Sequence, residues 1–227
     1  MKKRLTLLLA VLSGWSVAQA AETGPYVGIQ GGFNWAAPQY LRHQQLDFVR
    51  MNFKNPTSGG YVYGAAAGWR FSPGLRSELA VNYRKNTLSS FSKRYYEGGS
   101  SSSGQGSEAF FGAFANVWYD MPLSMKITDS VQVVPYIGGG IGYGRLTIKG
   151  LAANGVHFGQ AHNDDVGAWQ LGAGVLTKIT DAYSISLNYR YMRTASANYG
   201  LIEGLPPQDV ITHYQAQSAM VGFYHYF

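Results

Sequence analysis

Eight segments of this 227-residue chain alternate large apolar residues with small or polar ones, and the stretches between them run long, short, long, short, long, short, long. Period two is the side-chain repeat of a β-strand, whose successive residues point to opposite faces. The segments are Tyr26 to Trp35, Gly60 to Phe71, Leu75 to Arg84, Glu108 to Asp120, Val131 to Leu146, Asp165 to Lys178, Tyr183 to Met192 and His213 to Phe227. The long connections cover 36–58, 85–107, 149–163 and 193–212; the short ones are Ser72-Pro73-Gly74, the 121–130 turn and Thr180-Asp181. In an antiparallel up-and-down barrel, successive connections fall on opposite rims. Sorting of length by parity therefore puts the four long loops on one rim and both chain ends on the other. A soluble sandwich has no reason to sort its loops this way. Loop 36–58 is expected to carry a short helix or strand extension around Leu46 to Phe53. The Gly- and Ser-rich run Gly98 to Gly106 is expected to be flexible.

The two faces of these strands say what solvent each one meets. A lipocalin-type barrel also has eight strands, but it buries large apolar residues and shows charge to water. Here the charged strand residues share a face with the glycines: Arg70, Arg76, Glu78, Arg84, Asp120, Lys178 and Arg190. Large aliphatic and aromatic residues occupy the other face. Eight strands leave room inside only for side chains, so the reading is a charged, Gly-rich interior and an apolar exterior. Arg70, Arg76, Glu78 and Arg190 form the expected interior charge cluster. Because an unpaired buried charge is costly, Glu78 is expected to pair with Arg190 or Arg76. In Glu108 to Asp120 the faces are hard to separate, since both carry aromatics. Aromatics also gather at strand ends: Trp35, Tyr61, Tyr63, Tyr143 and Tyr191 toward the loops, Trp69, Phe71, Tyr119 and Phe227 toward the turns. Two such girdles mark the two interfaces of a bilayer.

Composition agrees with a transmembrane β-barrel. Charged residues are 13% of the chain and aromatics 15%, with 17 Tyr and 29 Gly. A soluble domain carries about a quarter charged residues. After the first twenty residues, no segment has the roughly 18 uninterrupted apolar residues of a membrane helix. Residues 1–20 read as a secretory signal peptide. Lys2, Lys3 and Arg4 precede the apolar run Leu5 to Leu12, and Ala18-Gln19-Ala20 is a small-x-small cleavage pattern. The barrel domain is then 21–227. With no Cys there is no disulfide and no thiolate nucleophile. Removing the three leader cations leaves 15 basic against 12 acidic residues, or +3, which gives no argument for nucleic acid.

The run Val134-Pro135-Tyr136-Ile137-Gly138-Gly139-Gly140-Ile141-Gly142-Tyr143 resembles a known family, as do Trp169-Gln170-Leu171-Gly172-Ala173-Gly174-Val175 and Tyr189-Arg190-Tyr191. These stretches are similar to the opacity and surface-antigen, porin-like barrels of Gram-negative bacteria, a group near the OmpA-type barrel domain. The resemblance covers about Gly24 to Phe227 in strand spacing and order. It implies an all-β, eight-stranded antiparallel up-and-down barrel in the outer membrane, expected to be a monomer, with four antigenic or adhesive surface loops. It also implies that the closing strand, with Phe223 and Phe227, is the insertion signal met by the barrel-assembly machinery. The other implied partners are outer-membrane lipids, lipopolysaccharide and a host-surface ligand. His225 departs from the pattern, since the closing strand usually carries Tyr or an apolar residue there.

Chemistry is sparse. Some small outer-membrane barrels modify lipid A and need a His with a Ser or an acid near a rim. His43, His157, His162 and His213, with Asp164, Asp165 and the serines of 85–107, show no triad spacing. His162-Asn163-Asp164-Asp165 is more simply a solvated loop than a cation site. The glycines of Tyr136 to Gly144 precede no helix, so they are not a phosphate loop. No catalytic residue, metal or cofactor is indicated. Phe91-Ser92-Lys93-Arg94-Tyr95-Tyr96 sets two cations beside three aromatics, so Lys93, Arg94, Tyr95 and Tyr96 are candidate contacts to anionic sugars. The simpler reading of that patch is a solvated tip. The expected function is structural, antigenic or adhesive. A lipid A-modifying enzyme and a small pore are the alternatives.

Overall fold

The computed structural model describes residues 16–17, 23–41, 49–53, 59–71, 74–95, 98–127, 131–153, 156–157, 161–198 and 211–227. Eight strands close one antiparallel barrel: β1 Gly24–Ala36, β2 Gly60–Phe71, β3 Leu75–Tyr95, β4 Gly98–Asp120, β5 Gln132–Ala153, β6 His162–Lys178, β7 Tyr183–Thr194 and β8 Gln215–Tyr226. Each strand pairs with the next, and β8 closes on β1 from Ala216 opposite Ala36 to Tyr226 opposite Tyr26. Closure satisfies the backbone of every barrel strand within the wall, which is the condition for crossing hydrocarbon with strands.

Side-chain alternation then sorts the residues. Leu79 is 70% exposed and Ile141 73%, and Ile29, Val117, Leu171, Leu187 and Val221 join them on the outside. Arg70, Arg76, Glu78, Arg84, Asp120 and Arg190 are all buried inside, and Lys178 is half-buried. In water so broad an apolar surface would drive association; in a bilayer it faces its own solvent. Aromatics edge the band at both ends. At one end Trp35 lies against Tyr189 (6.2 Å between ring centroids), Trp169 against Tyr191 (5.4 Å) and Tyr63 against Tyr83 (5.2 Å). At the other, Tyr183 meets both Phe223 (5.6 Å) and His225 (4.9 Å), and His225 meets Phe227 (4.5 Å). His225, the odd residue of the closing strand, thus serves as a member of the second belt.

The glycines of β5 have a packing reason. Gly138, Gly140 and Gly142 stand opposite Trp118, Asn116 and Phe114 of β4. A Cβ at Gly138 would lie 2.6 Å from Trp118 Cε3, and one at Gly142 would lie 2.5 Å from Phe114 Cδ1. One strand offers bulk and its neighbour offers room, so the large inward side chains of β4 fit inside an eight-stranded wall.

The connections differ from expectation. Among the described residues of 85–107 there is strand rather than loop: β3 and β4 remain paired from Lys85 opposite Ala109 up to Tyr95 opposite Gly98. Gly98 to Gly106, expected to be flexible, is the returning arm of this hairpin. Ser and Gly give weak apolar alternation, yet their backbones pair as well as any. The register shifts between Thr87 and Ser90, and again between Gln105 and Ser107. Gly106 sits at that second step with φ 137°, a conformation L side chains rarely adopt. Val49–Phe53, in the expected Leu46 to Phe53 extension, pairs with β3 from Leu88 to Lys93, and Gln39–Leu41 pairs with Val49–Phe53. β5 runs on to Ala153 and β6 begins at His162, so loop 149–163 is shorter than expected. Within 193–212, Ala197–Asn198 pairs with Ile211–Thr212. The rim with the long excursions is therefore crowned by sheet. On the opposite rim the 121–130 turn holds the short strand Leu123–Lys126. Ser16–Val17, inside the expected leader, pairs with Leu123 and Ser124.

Candidate functional site

The lumen is built from inward side chains of all eight strands. Near the rim of short turns, Arg76 Nε donates to Asp120 Oδ1 (2.9 Å), Arg76 Nη2 lies in ion-pair contact with the same oxygen (2.7 Å), and Arg70 Nη2 is 3.8 Å from Asp120 Oδ2. Arg70 also stacks over the Tyr226 ring at 3.9 Å, and Arg190 over Trp118 at 4.8 Å. Glu78 is inside, 3% exposed, but it pairs with neither Arg190 nor Arg76. It accepts from Tyr26 Oη (3.2 Å), Asn116 Nδ2 (3.0 Å) and Trp118 Nε1 (3.2 Å). The correction has a geometric cause. Arg76 shares Glu78's strand and face, and its side chain turns instead to Asp120 across the β3–β4 pair. Glu78 is left to neutral donors, which satisfy a carboxylate without a second buried charge.

A relay of amides links the deeper charges. Arg84 donates to Ser218 Oγ (2.9 Å) and Gln170 Oε1 (3.2 Å), Gln170 to Asn116 Oδ1 (2.7 Å), and Asn116 to Glu78. Toward the other rim, Asn34 donates to Asn86 Oδ1 (2.6 Å), and so does Tyr214 Oη (2.6 Å). Ser218 Oγ donates to Asn34 Oδ1 at 2.7 Å. Above this layer the interior turns apolar: Leu88, Phe110, Phe114, Leu146, Ile148, Val166 and Met192 pack together, buried, with Tyr214. These side chains form an apolar plug in this part of the lumen, beside the buried polar set Glu108, Gln39 and Thr212. Sequence reading missed it because Phe110 and Phe114 share β4 with outward Phe111 and Tyr119. Gly142, standing opposite Phe114 on β5, was an available signal, whereas Phe110 stands opposite Leu146.

The other predicted residues fall at three places. Phe223 and Phe227 point outward at the short-turn rim, and Phe227 N donates to Pro25 O at 3.1 Å. Lys93, Arg94 and Tyr95 lie at the end of the β3–β4 hairpin, opposite Ser100, Gly99 and Gly98; Tyr96 lies outside the described residues. The chemistry candidates are dispersed. His43 lies outside the described residues, and His157 pairs with Ala152 in a short ladder. Asp164 Oδ2 accepts from Asn198 N at 2.6 Å. Asp165 takes two bonds from Arg145, at 2.7 and 2.8 Å. Those bonds hold the Asp165 carboxyl below its ordinary pKa. His162-Asn163-Asp164-Asp165 is the first stretch of β6 rather than a loop.

A family model described as the outer membrane protein β-barrel domain matches residues 5–223. An outer membrane protein of Gluconacetobacter diazotrophicus is 30% identical over 152 residues, which is 63% of this chain and 39% of that protein. A protein of Brucella abortus is 29% identical over 181 residues, covering 69% of this chain and 59% of its own length. The chain thus spans less than two thirds of the curated relatives it matches. Among solved structures, Neisserial surface protein A aligns at a TM-score of 0.49 and 16% identity, over 91% of this chain and 99% of that one. The attachment invasion locus protein of Yersinia pestis, solved with the heparin analogue sucrose octasulfate, aligns at 0.36 and 11%, over 87% and 99%. A closed barrel with an apolar outer wall, matched by that family model over nearly its whole length, makes this chain a member of the outer membrane protein β-barrel domain family, seated in the outer membrane of a Gram-negative bacterium.

Proposed function

We propose that this protein is a surface recognition element, adhesive or antigenic, in which the barrel is the anchor and the sheet above the outer belt meets ligands outside the cell. The observation that carries the reading is the length of the β3–β4 hairpin. Crossing a bilayer takes about 9–11 residues per strand. From Tyr83 in the belt to Tyr95 at the tip, β3 runs roughly 40 Å further at about 3.3 Å per residue. Val49–Phe53 and Gln39–Leu41 widen this arm into a sheet. Its tip carries Lys93, Arg94 and Tyr95, followed by Tyr96, a combination suited to anionic sugars of lipopolysaccharide or of a host surface. The apolar plug favours a non-conducting role, and the closed ladder favours a monomer. Engagement of Asp164 and Asp165 by other partners favours a non-enzymatic role. β8, with Phe223 and Phe227, is the segment proposed to meet the assembly machinery.

Cells bearing Lys93→Ala with Arg94→Ala should bind cultured epithelial cells and immobilised lipopolysaccharide about tenfold less well, a loss of about 1.4 kcal/mol. Folded barrel should remain, seen as heat-modifiable gel mobility. Undiminished binding to both targets would remove the hairpin tip from the recognition surface.

A further inference from the structure

The outer wall of the barrel is unevenly filled. A depression of about 690 Å³ runs across the wall from Ala65 and Ala67 of β2 to Ile141 and Tyr143 of β5; within it Ala113 and Ala115 of β4 floor a groove between Leu79 and Val81 of β3 and the two β5 residues. Leu79 and Ile141 stand on either side of Ala115, and Val81 and Tyr143 on either side of Ala113. A large, small, large step across strands about 4.8 Å apart leaves a trough that follows the strand direction. Its lining is almost wholly apolar.

The two ends of the trough differ. Toward the outer rim, beyond Phe111, β4 continues outward with small residues, Ala109 and Ser107. Lys85 stands beside Ala109, Arg145 beside Phe111 and Lys149 beside Ser107. Three cations thus gather where the groove leaves the belt. Asp165 takes up part of the charge of Arg145, which leaves a positive surplus. Toward the other rim the corresponding residues are Ser77, Val117 and Gly139, then Leu75, Tyr119 and Ile137, with no charge among them.

We infer that this groove is a retained-lipid site, with an acyl chain of lipid A lying over Ala113 and Ala115 and a lipid A phosphate held by Lys85, Arg145 and Lys149. The cations lie on the outer rim, level with the leaflet that lipid A builds, which selects it over a glycerophospholipid. A second copy fits worse. A two-fold contact about the membrane normal through this face would bring each copy's cations toward the other's. The site is separate from the hairpin tip and does not depend on the recognition role.

The test is native mass spectrometry of the full chain in detergent micelles supplied with bisphosphorylated lipid A, dephosphorylated lipid A or phosphatidylglycerol. The expected result is one bisphosphorylated lipid A retained per barrel. Retention should fall about tenfold with dephosphorylated lipid A, with phosphatidylglycerol, with Lys85→Gln/Lys149→Gln, and with the groove-filling Ala113→Leu/Ala115→Leu; tenfold is about 1.4 kcal/mol. All four changes face outward, so heat-modifiable mobility should be unaltered, and either variant pair suffices if the other does not fold. Equal retention of the three lipids, or retention undiminished by the leucines, would overturn the assignment. So would a dimer that the leucines abolish, because the groove would then belong to a second copy.

Discussion

Asp120→Ala should lower the unfolding free energy of the barrel by about 3–5 kcal/mol, the cost of leaving a buried charge without its partner. Asp120 is 8% exposed and is the carboxylate on which Arg76 and Arg70 converge. Arginine cannot shed its proton to escape the loss. Neither residue can reach water easily, since Arg76 is 2% exposed and Arg70 5%. The stacking of Arg70 on Tyr226 survives the change and softens it only in part. The measurement is urea unfolding in lipid vesicles followed by tryptophan fluorescence. Arg76→Met added to Asp120→Ala should recover part of the loss, because one of the stranded charges goes with it. A loss below about 1 kcal/mol for Asp120→Ala would mean that water enters this rim and screens the arginines, as at a surface pair.

Leu79→Arg should cost about 2–4 kcal/mol, the penalty for a cation on the lipid face near the bilayer midplane. On a soluble protein, a side chain this exposed could be replaced with a change within about 0.5 kcal/mol. The size of the effect is therefore a direct reading of the solvent outside the barrel. Leu79 stands between Ala67 of β2 and Ala115 of β4, far from either belt. The same substitution at Thr87, on the same strand and face but beyond the belt, should be near neutral. Equal, small effects at both positions in the vesicle assay would mean that the wall does not face hydrocarbon.

Much of this was legible in the residue order, and the part that was not has identifiable causes. The barrel segments and their faces could be read because one face must suit hydrocarbon while the other must fit a narrow axis. Gly60–Phe71 keeps its expected bounds for that reason. The hairpin arms were not legible. Gly98 to Gly106 is nearly all Gly and Ser, so it carries no apolar alternation, and such residues pair by backbone alone. The partner of Glu78 was misjudged because charge was matched to charge, whereas Tyr26, Asn116 and Trp118 supply enough donors. The apolar plug escaped because Phe110 and Phe114 resemble outward Phe111 in type; only their alternation with interior Asp120 and the small Gly142 opposite Phe114 separate them.

The outward direction of the large apolar residues is open to one direct measurement. The chain has no Cys, so single cysteines can be placed in turn at 78, 79, 80, 81 and 82 and spin-labelled in vesicles. Labels at 79 and 81 should collide freely with oxygen dissolved in the hydrocarbon, and those at 78, 80 and 82 should be shielded from it. A reversed or uniform pattern along these five positions would contradict a wall whose apolar side faces lipid.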